Sequence, residues 1–274
     1  MDNQQYFLSI DNGTQSVRAM VFDGLGQLIA KSKVDIEPYF SEQPGWAEQH
    51  ADYFWTALCD ACQALWPQLP VSKDDIAAVS VTTQRATAIA MGADNQPLRP
   101  AISWLDQRQV ETKPTLSALE SALFTLVRAK PLVDLMHKQA EANWIEQNEP
   151  NIWNKVHKFV LLSGYHNYKL TGEYKDAIAS TVGFVPFDYK TQQWAGKKDW
   201  KWRAMPITQE MLPEVLPAGA ELGKINPQAA IETGIPEGLP LIASGSDKAC
   251  EVLGTGCTDA HTGSLSYGSL ATIN

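Results

Sequence analysis

A chain of 274 residues with 44% hydrophobic and 19% charged side chains has ordinary globular composition, which excludes a mainly disordered protein and leaves room for one large domain or two small ones. Its 22 basic and 31 acidic side chains leave a net charge of −9. General nucleic-acid binding and docking on an anionic membrane both demand a clustered positive field, so neither is expected.

No apolar run reaches the roughly 18–20 residues of a membrane helix. The N-terminal Met1-Asp2-Asn3-Gln4-Gln5 is polar, with no basic stretch ahead of an apolar one, so no signal peptide is expected. Tyr6-Phe7-Leu8-Ser9-Ile10 reads as a strand, and Asp11-Asn12-Gly13-Thr14-Gln15-Ser16 as a turn on its Asn-Gly pair. Residues 17–22 are a second strand, Asp23-Gly24-Leu25-Gly26 a second turn and residues 27–33 a third strand. The chain therefore opens on an antiparallel meander.

Pro44-Gly45-Trp46 marks a loop, and residues 52–66 a helix. Phe54, Trp55, Leu58, Cys59, Cys62, Leu65 and Trp66 recur there at helical spacing. Cys59 and Cys62 also have the C-x-x-C spacing of redox and zinc motifs, but the helix puts both on its buried stripe. With Cys250 and Cys257 they make no disulfide framework, and a reducing cytoplasm is the expected compartment. Ile76-Ala77-Ala78-Val79-Ser80-Val81-Thr82 predicts a strand buried on both faces. A meander, a helix and a buried strand imply α/β: a mixed sheet with helices packed on it.

Residues 117–170 read as mostly helical, with 154–168 at helical spacing. Residues 183–222, rich in Trp, Pro and Lys, read as irregular structure. Trp194, Trp200 and Trp202 either cover a pocket or, as expected, pack that long loop onto the core. Pro240-Leu241-Ile242-Ala243-Ser244 is a short buried strand running into Gly245-Ser246-Asp247, followed by a helix over 248–253 stopped by Gly254 and Gly256. Residues 263–273 then read as strand, small-residue turn and strand, echoing the opening hairpin. An unpartnered final strand is an exposed edge, so a two-domain protein is expected, its second half beginning near Thr255.

Candidate chemistry begins at the Asp11–Ser16 turn. A glycine and small hydroxyl residues in a tight hairpin can aim successive N–H groups into one concavity, a phosphate nest that needs no basic side chain. Asp11 can hold magnesium through water, and Arg18 can touch a nucleotide. An ordinary Asn-Gly hairpin is the plainer reading, but residues 263–269 repeat the device. Two such hairpins mark an actin-like ATPase, and no P-loop or G-x-G-x-x-G is present. Gln84 and Arg85, at the carboxyl end of the buried strand, offer donors to vicinal hydroxyls. Trp104 can present an apolar face to a sugar, whereas Asp106 and Arg108 read as a structural ion pair. Asp247 is placed to accept a proton from a substrate hydroxyl, or else to cap the following helix. The histidines His50, His137, His157, His166 and His261 show no metal spacing.

These segments, in order, resemble the FGGY family of carbohydrate kinases: residues 10–18, 44–49, 84–87, 100–108, 168–172 and 245–248. The resemblance implies an actin-like ATPase (ribonuclease H-like) α/β domain, whose mixed sheet carries the N-terminal meander and flanking helices. It implies ATP-dependent phosphorylation of a sugar or polyol hydroxyl, with ATP and Mg2+ as cofactors and a small-molecule sugar or polyol as partner; a homodimer stays open. Asp247 matches the catalytic base and, with Gln84, Arg85 and Trp104, falls where glycerol-kinase-like members hold substrate. Asp11, Gly13, Thr14, Gln15, Ser16 and Arg18 match the first phosphate loop, with Asp11 toward the metal, and Gly268 and Ser269 look like the start of the second.

By this likeness residues 1–254 are the substrate-binding domain and 255–274 begin the nucleotide-binding one, so the chain alone is expected to be inactive as a kinase. A non-catalytic sugar-binding module or pseudokinase is the alternative. Glycerol kinases carry Glu where this chain has Ala86, and xylulokinases usually show Met-His where it has Gln84-Arg85. Losing that carboxylate adds room and frees Arg85, which favours an acceptor of about five carbons or an acidic sugar over glycerol.

Overall fold

The computed structural model describes residues 5–111, 116–267 and 271–273. Gly268 and Ser269 lie outside them. Strands β1 (Tyr6–Asn12), β2 (Ser16–Asp23), β3 (Leu28–Asp35), β4 (Glu48–Gln49), β5 (Ile76–Thr83), β6 (Ala88–Met91), β7 (Ala101–Ile102) and β8 (Lys158–Leu161) divide between two sheets. The larger has the order Glu221–Lys224, Pro240–Ile242, β5, β1, β2, β3. The meander β1–β2–β3 is antiparallel, β5 lies parallel to β1, and Pro240–Ile242 parallel to β5. It is the expected mixed sheet.

Strand pairing runs past the expected ends of β1 and β2, so their loop shrinks to Gly13, Thr14 and Gln15. Gly13 does not adopt a positive φ and Asn12 is a fully buried strand residue. The link is therefore not the primed turn that an Asn-Gly pair ordinarily makes.

Alternation decides which faces are sealed. Tyr6, Leu8 and Ile10 of β1 and Val17, Ala19 and Val21 of β2 point into one core, against helix α1 (Ala51–Leu65). That helix buries Phe54, Leu58, Ala61, Cys62 and Leu65 at three- and four-residue spacing. Cys59 is only half-buried, beside the stripe rather than on it, and all four cysteines are free. In β5 the buried side chains are Ile76, Val79, Val81 and Thr83, while Ala77, Ala78, Ser80 and Thr82 stay half-buried. The strand is thus sealed on one face, not two: its bulky residues share one side.

The second sheet, in the order β4-β7-β6-β8, was not evident from the sequence. Helices α2 (Ala118–Leu126), α3 (Lys130–Gln139), α4 (Glu141–Asn148) and α5 (Pro150–Trp153) follow β7. The helix expected over 154–168 is corrected: β8 occupies 158–161, and α6 (Leu162–Thr171) begins only after it. Helix α6 buries Leu162, Tyr165, His166 and Leu170 and also Ser163 and Asn167, so it is enclosed on most sides. The 183–222 tract is less irregular than expected, since Glu221–Lys224 is an edge strand of the main sheet. Its tryptophans pack: Trp194 meets Phe187 edge-on, Trp200 meets Phe124, and Trp202 Nε1 donates to Ala195 O. The last helix spans Asp247–Gly254, taking in both residues expected to flank it. Strands Leu265–Tyr267 and Ala271–Ile273 pair antiparallel, as the echo of the first hairpin requires.

Candidate functional site

Sheet register puts Asp11 directly opposite Arg18, and Arg18 Nη1 donates to Asp11 Oδ2 at 2.9 Å. Between them Gly13 N donates to Ser16 O at 3.1 Å, and Gln15 O accepts from Ile36 N at 3.0 Å. Among the described residues no acceptor takes the N–H groups of Thr14 or Gln15, and both residues line the main cleft. Free N–H groups at a tight loop form a site for an anion. Asp11 stands behind this loop, and burial raises its carboxyl above the usual range against the opposing pull of Arg18. The carboxylates of Asp247 and Glu251 push in the same direction as burial.

The neighbouring strand continues the site. Gln84 N donates to Asn12 O at 2.9 Å, one residue past the end of β5. The Gln84 side chain is buried: Oε1 accepts from Trp104 Nε1 at 2.9 Å, and Nε2 has no partner among the described residues. Gln84 sits beneath the cleft and holds Trp104, where direct contact with hydroxyls was expected. Trp104 Nε1 also reaches Thr14 Oγ1 at 3.2 Å, tying the loop after β7 to the first hairpin. Arg85 lines the cleft. Ala86 follows in the left-handed region at φ 52°, fixed by donation of its N–H to Val182 O at 3.0 Å.

Asp247 arrives from a third element. Gly245 O accepts from Thr82 Oγ1 at 2.7 Å, which pins this loop to β5. A Cβ on Gly245 would lie 3.2 Å from those of both Ala179 and Ala249, tighter than ordinary contact, so glycine eases this approach. Ser246 occupies the N-cap position and Asp247 is the first helical residue, so Asp247 is not the cap. Its Oδ1 accepts from Lys248 N at 2.7 Å and lies 3.8 Å from Arg85 Nε. Arg85 is therefore partly engaged, not free as its neighbour Ala86 implied. Burial raises the Asp247 carboxyl above its usual range, opposed by the Lys248 N–H and by Arg85. The resulting cleft, about 690 Å³, brings together residues 13–16, Arg18, Arg85, Trp104 and Asp247.

The model of the FGGY carbohydrate kinases' N-terminal domain matches residues 6–254. The chain belongs to the FGGY family. It is 31% identical over 268 residues to an uncharacterised sugar kinase of Escherichia coli (strain K12), covering 97% of this chain and 47% of that protein. It is 26% identical to the xylulose kinase of the same strain, covering 96% and 52%. A gluconate kinase structure from Lactobacillus acidophilus superposes with a TM-score of 0.80 at 18% identity, over 98% of this chain and 54% of that one. The chain spans about half the length of the curated relatives it matches.

Within this FGGY domain the Asp106–Arg108 pair is structural, as expected. Arg108 Nη2 lies 2.7 Å from Asp106 Oδ2 and Nη1 lies 2.9 Å from Glu48 Oε1, all three side chains being buried. The guanidinium lies over the rings of Trp46 and Trp144, 4.1 and 4.4 Å from their centroids. Arg99 bridges Glu48 and Glu149. Sequence reasoning missed Lys248, which lines the cleft and donates through Nζ to Glu251 Oε2 (2.7 Å) and Ser266 Oγ (2.6 Å). Its place directly after Asp247 was the available signal; Val182 and Thr272, also in the lining, carried none.

Among the described residues no three His, Cys, Asp or Glu side chains gather to hold a metal ion. The donor set fits magnesium held through water and phosphate oxygens rather than in a protein cage. No helix of the described residues is long and apolar enough to cross a membrane.

Proposed function

We propose that this chain is the acceptor-binding half of an ATP-dependent carbohydrate kinase. The observation that carries the reading is one cleft lined by Asp247, Arg85 and Trp104 and also by Thr14 and Gln15, whose N–H groups have no acceptor among the described residues. A carboxylate opposite an anion nest is what transfer of a phosphoryl group to a hydroxyl requires.

In this reading residues 1–254 form the acceptor-binding domain and residues 255–274 open the nucleotide-binding one. The match of the family's N-terminal-domain model over residues 6–254 supports that division. Trp104, held by Gln84 and Thr14, lies against the C–H face of the acceptor. Arg85 donates to its hydroxyls. Asp247 Oδ2 takes the proton of the attacking hydroxyl, since Oδ1 is engaged by Lys248 N. The raised carboxyl is the more basic for it, and late proton removal from a loose transition state asks no more. Thr14 and Gln15 hold phosphate oxygens through their N–H groups. Asp11 and the phosphates together would hold magnesium, which supplies charge neutralisation when bound.

Ala86 supplies no carboxylate to a small triol, so a longer polyhydroxy acceptor is favoured over glycerol. Calorimetric titration of this chain with glycerol, pentitols, pentuloses and aldonic acids tests the acceptor half of the proposal. At least one longer ligand binds more tightly than glycerol; glycerol binding above all others refutes the argument from Ala86.

A further inference from the structure

A second cavity of about 160 Å³ shares Ala86 and Trp104 with the main cleft. At about 30 Å³ of liquid volume per water, it has room for a short hydroxylated fragment. Its remaining wall includes Ser103, Gln107, Gln139, Glu141 and Phe184. Both spaces are bordered by Ala86, a residue with only a methyl side chain.

The charge balance of this cavity is uneven. Arg108 is paired on two sides: Nε and Nη2 donate to Asp106 (2.8 and 2.7 Å) and Nη1 to Glu48 (2.9 Å). Arg99 serves Glu48 and Glu149. Glu141, the first residue of α4, makes no ion pair among the described residues. Protein atoms crowd its carboxyl, yet the residue keeps some accessible surface, as a cavity-lining group does. Burial pushes this carboxyl up to about 8, with Asp106 adding to it and Arg108 opposing, so at neutral pH it is largely the uncharged, proton-donating form. Around it Glu48, Asp106 and Glu149 outnumber Arg99 and Arg108, so an anion entering here would add to an excess of negative charge, and burying an unpaired charge is costly. A hydroxyl would find in Glu141, Ser103 and the two glutamines both donors and acceptors, with Trp104 and Phe184 as apolar walls.

We propose that this side cavity is the subsite for the distal end of the acceptor, that Glu141 is a specificity-determining residue that holds uncharged hydroxyl-bearing ends, and that the acidic network around it disfavours anionic ones. The inference rests on the main cleft being the acceptor site. It selects a neutral pentulose or pentitol over the aldonic acid of the same length.

Titration of this chain at neutral pH, with a pentitol, the matching aldonic acid and glycerol, tests it in wild type, Glu141→Ala and Glu141→Lys. Wild type binds the pentitol at least about tenfold more tightly than the acid, the worth of one buried polar contact. Glu141→Ala loses about tenfold on the pentitol, and Glu141→Lys shrinks or reverses the neutral-to-acid preference, because a cation now faces the cavity. Glycerol, too short to pass Ala86, keeps the same weak affinity in all three. Glycerol and pentitol weakening together, or an unchanged preference in Glu141→Lys, overturns the subsite and leaves the acceptor reading standing. No binding of any neutral ligand to wild type overturns both.

Discussion

His166 tests how the β1–β2 hairpin is held from behind. Its ring is fully buried, Nε2 lies 2.8 Å from Asn12 Oδ1, and Nδ1 has no partner among the described residues. Asn12 in turn donates through Nδ2 to Gly13 O at 3.1 Å and accepts Gln84 N at 2.9 Å. A second proton on the ring would sit on Nδ1, buried without an acceptor. Burial, with a smaller contribution from Lys169, accordingly pushes this histidine down to about 3. In the unfolded chain a histidine titrates near 6.5. The folded value is the lower one, so its stabilisation is complete above the unfolded value and is lost as pH falls below it. At about 1.4 kcal/mol per unit, acidification to about pH 5 costs about 2 kcal/mol. Glu141 and Asp176 act in the opposite sense, because burial raises them to about 8 and about 7. Their folded values lie above the unfolded ones, so they favour the fold at low pH. The comparison is therefore with His166→Gln, which keeps an amide donor for Asn12 and does not titrate, so the carboxyl contributions cancel. Urea unfolding at neutral pH and near pH 5 reads the difference: wild type loses about 2 kcal/mol more than the variant. Equal losses would mean that the ring accepts its proton inside the fold, and would refute the reasoning.

In a full-length kinase, Asp247→Asn lowers kcat by about 10²–10⁴-fold with sugar affinity changed only a few-fold, as loss of a general base does; turnover near wild type in an ADP-release assay would remove Asp247 from that role. Arg108→Met strands Asp106 and part of Glu48 without their cation and costs about 3–5 kcal/mol by urea unfolding; a loss under about 1 kcal/mol would show that the two carboxylates find other partners. Cys62 is fully buried and burial raises Cys59 to about 12, so both resist alkylation by iodoacetamide at mildly alkaline pH in the native chain. Rapid labelling of either, read by mass spectrometry, would contradict the packing of α1.

The sequence by itself determined the elements whose side chains alternate or recur around one sealed face, the meander and α1, and it marked β5 as a strand while misjudging it as buried on both faces. There the hydrophobic period is local information, and no distant residue is needed to read it. It also placed Asp247 and the first hairpin, because a strand end followed by small residues has few local conformations. Tertiary structure alone decided the rest. Helix α6 shows no stripe because it is enclosed on most sides, so burial erases the period that would have marked it. Strands β4 and β7 have two residues each and exist only through the partners that complete their hydrogen bonds. That Gln84 is buried and holds Trp104 through Oε1 was not legible, since the chain cannot announce which side of a strand end faces the cleft. Asp106 and Arg108 were recognisable as a pair, but Glu48, Arg99 and Glu149 join them from distant segments. Which carboxyl is left without a cation, and so faces the cavity as Glu141 does, follows from distances in three dimensions, because charges choose partners by proximity and not by order along the chain.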